Sequence, residues 1–250
     1  MKINCIKKSG KKYILELDDG SALKIYGDLL IKYNILYHKE ISYKEVELLE
    51  KENIYYDAYN CSLSYISKKI RSKYEVYNYL DKFLINDKEK NEIIDKLVNL
   101  KLIDDRYYAN AYINDSLAFT LKGPYKIKKE LLKLKIDDSL IDDALSNIND
   151  SIYYDNVKKI INKKLKMNKK YSGYVFKQKL VNELMLLGYP DYVIYESINS
   201  IDYKGDIINE YKKIYNKLSK KYSGSELDLK IKQKLYSLGY TNSDIEKVTQ

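Results

Sequence analysis

An internal register of 51 residues restricts what this 250-residue chain can fold into more than any other feature. Val76, Leu80 and Phe83 follow i, i+4, i+7 spacing, which is one apolar face of a helix, and Ile127, Leu131 and Leu134 repeat them 51 residues later. Ser72 and Gly123, which open these two helices, keep the same offset, and Ile93, Ile94 and Leu97 fall on Ala144, Leu145 and Ile148. Further along, Phe176, Leu180, Leu184 and Leu187 shift by 51 onto Leu227, Ile231, Leu235 and Leu238. Their flanks match as well: Tyr-Ser-Gly at 171–173 and 222–224, and Leu-Gly-Tyr at 187–189 and 238–240. The opening glycine lies 11 steps before the last face position in 123–134 but 14 steps before it in 173–187. The later pair therefore carries about one extra helical turn.

A three-helix unit of this length cannot bury both sides of its helices alone, so the units are expected to stack. The expected fold is all-α: tandem three-helix repeats in an elongated curved array, preceded by a short N-terminal β-hairpin-like segment. The divisions are 1–55 for the β-hairpin and helix segment, then repeats at 56–103, 104–151, 152–202 and 203–250. Strand-like alternation is confined to the start, at Ile3 and Cys5, at Tyr13, Leu15 and Leu17, and at Leu23 and Tyr26, with Ser9-Gly10 and Asp18-Asp19-Gly20 as turns.

Capping chemistry marks the helix boundaries. Ser72-Lys-Tyr-Glu75 reads as a capping box, and Asp87 as the cap of the helix that follows. Pro124 and Pro190 suit first-turn positions, while Gly188 and Gly239 suit C-caps. The acidic pairs Asp104-Asp105, Asp137-Asp138 and Asp142-Asp143 admit metal or acid–base roles, but two of them immediately precede helices, where Asp serves as cap and complements the macrodipole.

Catalytic patterns are hard to find. There is no GxxxxGK[ST], GxGxxG, GxSxG or HExxH, and the one histidine, His38, has no ligand cluster at metal spacing. Cys5 and Cys61 have no CxxC partner and are expected to be reduced and buried. Neither a cofactor nor a metal is expected, and the chain reads as a binding protein rather than an enzyme. No stretch has the length of a membrane span and the start lacks the apolar core of a secretory signal, which places the protein in the cytoplasm.

The net charge of +9 is concentrated, because the last hundred residues hold 19 basic against 11 acidic groups. A basic C-terminal half suits a polyanionic partner or a nucleoprotein; solvated lysine is the plainer reading, since 43 of the 45 basic residues are Lys. The 29 tyrosines interleave with lysine in KKYSGY (169–174) and KKYSG (220–224), where they can stack on bases, anchor an interface or simply pack.

Two blocks carry a resemblance. YNCSLSYISKKIRSKYEVYNYL (59–80) and LIDDRYYANAYINDSLAFTLKGPYKIKKEL (102–131) resemble, in order and separation, the signature of the RecX family of RecA regulators, most closely over about 55–150. The chain departs from it at the expected Lys-Gly after the second helix of a unit, which here is Lys82-Phe83 and Lys135-Ile136, leaving C-capping there open. The resemblance implies a non-enzymatic monomer that lies in the groove of the RecA filament on single-stranded DNA. It would limit filament extension, recombinase and ATPase activity, and coprotease activity in DNA repair, recombination and the SOS response. Direct contact with DNA through the basic C-terminal half would accompany this. The rival readings are a helical-repeat protein that binds single-stranded nucleic acid by itself and a generic protein scaffold.

Within the two blocks, the candidate partner-binding residues are Arg71, Lys73, Tyr74, Arg106, Tyr108, Tyr112, Lys122, Lys126 and Lys129, and the structural caps are Ser72, Glu75, Asp104, Asp105 and Gly123. Arg71 and Arg106 are the only arginines, at places where a planar five-donor fork replaces the otherwise universal lysine. Either they clamp a carboxylate of an adjacent unit or they contact the partner.

Overall fold

The structure is a computed structural model that describes residues 1–199, 201 and 203–249. It is mostly helical, with a small antiparallel sheet at the N-terminus. Two compact units divide the chain, Met1–Tyr108 and Ala109–Gln250.

The first unit opens with a meander, β1 (Ile3–Ser9), β2 (Lys12–Leu17) and β3 (Ala22–Tyr26), so the β segment has one strand more than a hairpin. Gly10 at φ +63° and Gly20 at φ +82° make its turns, a left-handed conformation that costs glycine little. Alternation places Ile3, Leu15, Leu17, Leu23 and Ile25 on the buried face. They pack on Leu29 and Leu30 of α1 (Gly27–Lys32) and on Leu49 of α2 (Tyr43–Ile66). The inward pair in β3 is Leu23 and Ile25; Tyr26 is half-buried and its hydroxyl donates to Asp57 at 2.8 Å. Cys5 is only half-buried because the register slips between Ile3 and Cys5, and Cys61 is half-buried too, where burial of both was expected.

Helix α2 begins at a capping box formed by Ser42 and Glu45 and runs unbroken across residue 55. Its second half joins α3 (Lys73–Leu80) and α4 (Asp87–Asn99) around Ala58, Val76, Leu80, Ile93, Ile94, Leu97 and Ile103. The Ser72–Glu75 box is present at the start of α3. Asn86, not Asp87, caps α4: its side chain accepts from the Glu89 amide at 3.0 Å, and Asp87 takes the first helical position, where an acidic group still suits the macrodipole.

Helix α5 (Asp105–Asp115) continues into the second unit and ends in a π-helical turn, Ser116–Thr120. Then come α6 (Pro124–Lys133), α7 (Asp138–Ser146), α8 (Asp150–Met167), α9 (Gly173–Leu186), α10 (Asp191–Asn199), α11 (Ile207–Leu218), α12 (Gly224–Ser237) and α13 (Asn242–Thr249). The 51-residue register lands on buried side chains: Val76 and Leu80, Ile127 and Leu131, Leu180 and Leu184, Ile231 and Leu235 are each at most 2% exposed. Helices α9 and α12 have 14 residues, against 8 for α3 and 10 for α6.

Inside the second unit, successive helix triplets are joined by one recurring contact. The Gly123 N–H, at the N-cap of α6, donates to the Leu187 carbonyl at 2.7 Å, and the Ser172 N–H, at the N-cap of α9, donates to the Leu238 carbonyl at 2.9 Å. Both acceptors belong to Leu-Gly-Tyr turns. In each turn the glycine is left-handed, Gly188 at φ +84° and Gly239 at φ +95°, and ends its helix with paired bonds back to the last turn. A Cβ on Gly239 would fall inside the van der Waals envelope of the Ser172 carbonyl oxygen, and one on Gly188 would collide with the backbone nitrogen of Lys126. Pro190 lies just ahead of α10, and its carbonyl accepts from the Ile194 amide at 3.1 Å, so it stands one place before the first turn.

The non-glycine departures at the other turns are resolved differently. Lys135 adopts φ +57°, with its N–H on Leu132 and the Ile136 N–H on Leu131, so the C-cap forms without glycine at the cost of a left-handed lysine.

Gly239→Ala is expected to destabilise the second unit by about 2 kcal/mol or more, since strain and collision add. Gly20→Ala, whose φ is similar but which has no described atom within 4 Å of the added carbon, isolates the strain alone at about 1 kcal/mol. Denaturant unfolding of both variants measures the difference.

Candidate partner-binding surface

Arg71 lies just before the Ser72 cap, in the turn between α2 and α3. Its guanidinium sits 4.0 Å over the Tyr65 ring and bonds the Glu75 carboxylate at 3.1 Å. Tyr65 stacks in turn on Tyr79 at 4.1 Å with planes 6° apart. Glu75 thus serves twice, closing the capping box through the Ser72 N–H at 3.0 Å and holding the arginine. Of the two alternatives for Arg71, an inter-unit clamp or a partner contact, neither is what the side chain makes here: its carboxylate partner, Glu75, lies four residues on in its own unit, and α2 supplies the Tyr65 ring beneath it. Nε of Arg71 is buried and unbonded among the described residues.

Asp104 caps α5, accepting from the Arg106 N–H at 2.8 Å and the Tyr107 N–H at 3.1 Å. Asp105 does something sequence reading missed: its carboxylate accepts the Lys73 N–H at 2.9 Å, so it caps α3 from 32 residues away. Burial raises its pKa above the usual carboxylate range, with the Lys73 amide opposing.

In the second unit Glu130 organises two of the named residues, Tyr112 and Lys122. Tyr112 Oη and Lys122 Nζ both donate to its Oε2 at 2.7 Å. Burial alone would raise the Glu130 pKa, but the bonds from Lys122 and Tyr112 outweigh it and hold the carboxyl below its ordinary range. Burial first, and then the bond to Glu130, raises the Tyr112 hydroxyl; the Glu130 bond raises Lys122.

The candidates therefore separate. Tyr108 is buried at 6% exposure, and Arg71, Tyr112 and Lys122 hold intramolecular bonds. Lys73, Arg106 and Lys129 are exposed, while Tyr74 and Lys126 are half-buried. Gly123 is buried under the Leu187-Gly188 turn.

What reaches solvent in this region is the outer face of α6. Tyr125, Lys129, Leu132 and Lys133 are exposed there, opposite buried Pro124, Ile127 and Leu131. On the π turn just before it, Phe119 is 81% exposed. Tyr125 and Lys133 were not singled out from sequence, yet the periodicity that buries Ile127 and Leu131 turns them outward by the same arithmetic. A face of lysines with an aromatic ring and an aliphatic side chain suits acidic protein surface or phosphate. Lys128, beside it, is engaged by Asp138 at 2.9 Å and by Asp142. Among the described residues no cluster of three or more His, Cys, Asp or Glu could hold a metal, and no helix is long and apolar enough to cross a membrane.

A domain of three helices in a regulatory protein is what this region matches. The family model described as "RecX, second three-helix domain" covers residues 104–145, which span α5 to α7. The regulatory protein RecX of Streptococcus agalactiae serotype III is 32% identical over 257 residues, covering 98% of this chain and 97% of that protein. That of Streptococcus uberis is 29% identical over 260 residues, covering 99% of this chain. Among solved structures, a crystal structure of regulatory protein RecX superposes with a TM-score of 0.68 at 26% identity, over 80% of this chain and 99% of that one. RecX from Lactobacillus salivarius gives 0.55 at 29% identity, over 59% of this chain and 96% of the other. The chain belongs to the RecX family of regulatory proteins.

Two outcomes test the assignment of these side chains. Arg71→Lys should lower stability by about 1 kcal/mol, because lysine keeps the charge but loses the flat stack on Tyr65; thermal melting of the isolated protein reads it. Glu130→Gln should cost about 1–2 kcal/mol at neutral pH. Because the folded carboxyl titrates below its unfolded value, its contribution is present at neutral pH and lost as pH falls through the carboxylate range. Wild-type and variant melting curves should therefore converge in acid.

Proposed function

We propose that this chain binds the RecA filament on single-stranded DNA and restrains it, limiting filament extension, ATPase and recombinase activity, and coprotease activity in repair, recombination and the SOS response. The observation that carries this reading is the near end-to-end match to regulatory proteins named RecX, 98% of this chain against 97% of the S. agalactiae protein. The outer face of α6 supports it, as lysines flanking Tyr125 and Leu132 suit the acidic and apolar patches of a protein filament. The chain acts as a cytoplasmic monomer without a cofactor, through binding rather than chemistry. A chain of repeated units that touches several protomers blocks a polymer by occupying few of them.

RecA's DNA-dependent ATPase, titrated with this protein, should fall at amounts well below one per protomer. Lys129→Glu with Lys133→Glu, both exposed, should weaken that inhibition about tenfold while the melting temperature holds. Inhibition that needs a full equivalent, or none at all, would count against the reading.

The second reading, direct binding of single-stranded nucleic acid, is favoured by the 19 basic against 11 acidic groups of the last hundred residues. It requires affinity for naked DNA that falls steeply with salt and is independent of RecA.

A further inference from the structure

The joint between helix triplets recurs twice in the second unit, and its receiving half is present a third time. In the filled joints an N-cap N–H, of Gly123 or of Ser172, donates to the leucine carbonyl of a helix end that closes in Leu-Gly-Tyr. The third receiving edge is Tyr222-Ser223-Gly224 at the start of α12. Its backbone copies the filled one: Ser223 at φ −141°, ψ 160° against Ser172 at −132°, 160°, and Gly224 at φ +58° against Gly173 at +48°. Neither serine caps its own helix with its side chain. The aromatic residue before each serine is held alike, Tyr171 under Lys179 Nζ at 4.4 Å and Tyr222 under Lys230 Nζ at 5.9 Å, two lysines 51 residues apart.

The burial of the two edges is opposite. Ser172 is 2% exposed beneath Leu238-Gly239, whereas Ser223 and Gly224 face solvent, with no described atom within 4 Å of where a Gly224 Cβ would lie.

We propose that the Tyr222-Ser223-Gly224 edge is a docking site for a helix of another protein that ends in a Leu-Gly-aromatic turn. The occupant is specified by the two turns already seated in the same chain, both Leu-Gly-Tyr. A second copy of this chain offers neither, since Gly123 and Ser172 hold both of its own. The charge agrees: Lys220 and Lys221 precede the edge, as Lys169 and Lys170 precede the filled one, and a helix C-terminus is the negative end of its dipole. The Ser223 N–H supplies the donor for the leucine carbonyl. The inference holds whether or not the partner is RecA.

The test uses the intact chain and a fluorescein-labelled peptide of residues 176–190, cross-linked to stay helical and ending at Leu187-Gly188-Tyr189-Pro190. Saturable binding by fluorescence anisotropy is expected, weakened about tenfold or more when the peptide carries Gly188→Ala, because the added methyl meets the edge's backbone. Glu226→Trp in the chain should weaken it similarly: Glu226 is exposed on α12 at the repeat-equivalent place of Val175 on α9, whose Cβ lies 3.0 Å from where a Cβ on Gly239 would stand. Circular dichroism of that variant confirms its helices, and the peptide substitution leaves the chain unaltered. Absence of saturable binding, or binding indifferent to both substitutions, overturns the proposal. Loss with the alanine peptide but not with Glu226→Trp overturns it too, since the peptide would then be seated elsewhere.

Discussion

The second unit depends on one small contact: a helix start offering a free amide to a helix end that turns left-handed at glycine. An N-cap N–H has no partner within its own helix, and the last carbonyls of another helix have none within theirs. Placing one against the other satisfies both, and only a residue without Cβ lets the two backbones approach this closely. Gly188 and Gly239 are required on two counts, positive φ and proximity, whereas Lys101 at φ +56° and Lys135 at φ +57° meet the first without glycine. Tyrosine completes the joint at Tyr189, whose hydroxyl reaches the Leu121 carbonyl at 2.9 Å.

Much of this was legible in the sequence because its causes are local or periodic. Most of the apolar positions 51 residues apart are buried, with Phe83, Leu134, Leu145, Ile148 and Leu187 half-buried; the Ser72–Glu75 box formed as read, and Leu-Gly-Tyr marked both glycine C-caps. What escaped depends on residues brought together from far apart. Asp105 reads as part of its own helix start but serves the Lys73 amide. Arg71 is fixed by Tyr65, which only the packing of α2 supplies. The π turn at Ser116–Thr120 has no sequence signature; it is held by tertiary bonds such as that from Asn156 Nδ2 to the Leu117 carbonyl at 2.8 Å.

The same distinction runs through the candidate residues. A family-like motif marks positions that matter without saying whether they matter to the fold or to a partner. Here Arg71, Tyr108, Tyr112 and Lys122 are engaged inside the protein, whereas the side chains of Lys73 and Lys129 are exposed. The abundant tyrosines are also largely structural. Several hydroxyls bind carboxylates, as Tyr33 does Glu52 at 2.9 Å and Tyr192 does Asp150 at 2.9 Å, so a ring that packs also carries a polar tip to the surface.

This division has a consequence for how such a protein can recognise its partner. The joints rest on backbone amides and glycines, whereas Lys129, Leu132 and Lys133 on the outer face of α6 are exposed. Recognition on that face can therefore change residue by residue at little cost to stability. The receiving edge at the start of each middle helix behaves differently, since there the donor that builds the fold is the same group that would bind another helix. Stability and recognition are separable on the helix faces and inseparable at the helix ends, so substitutions at the ends report on both at once.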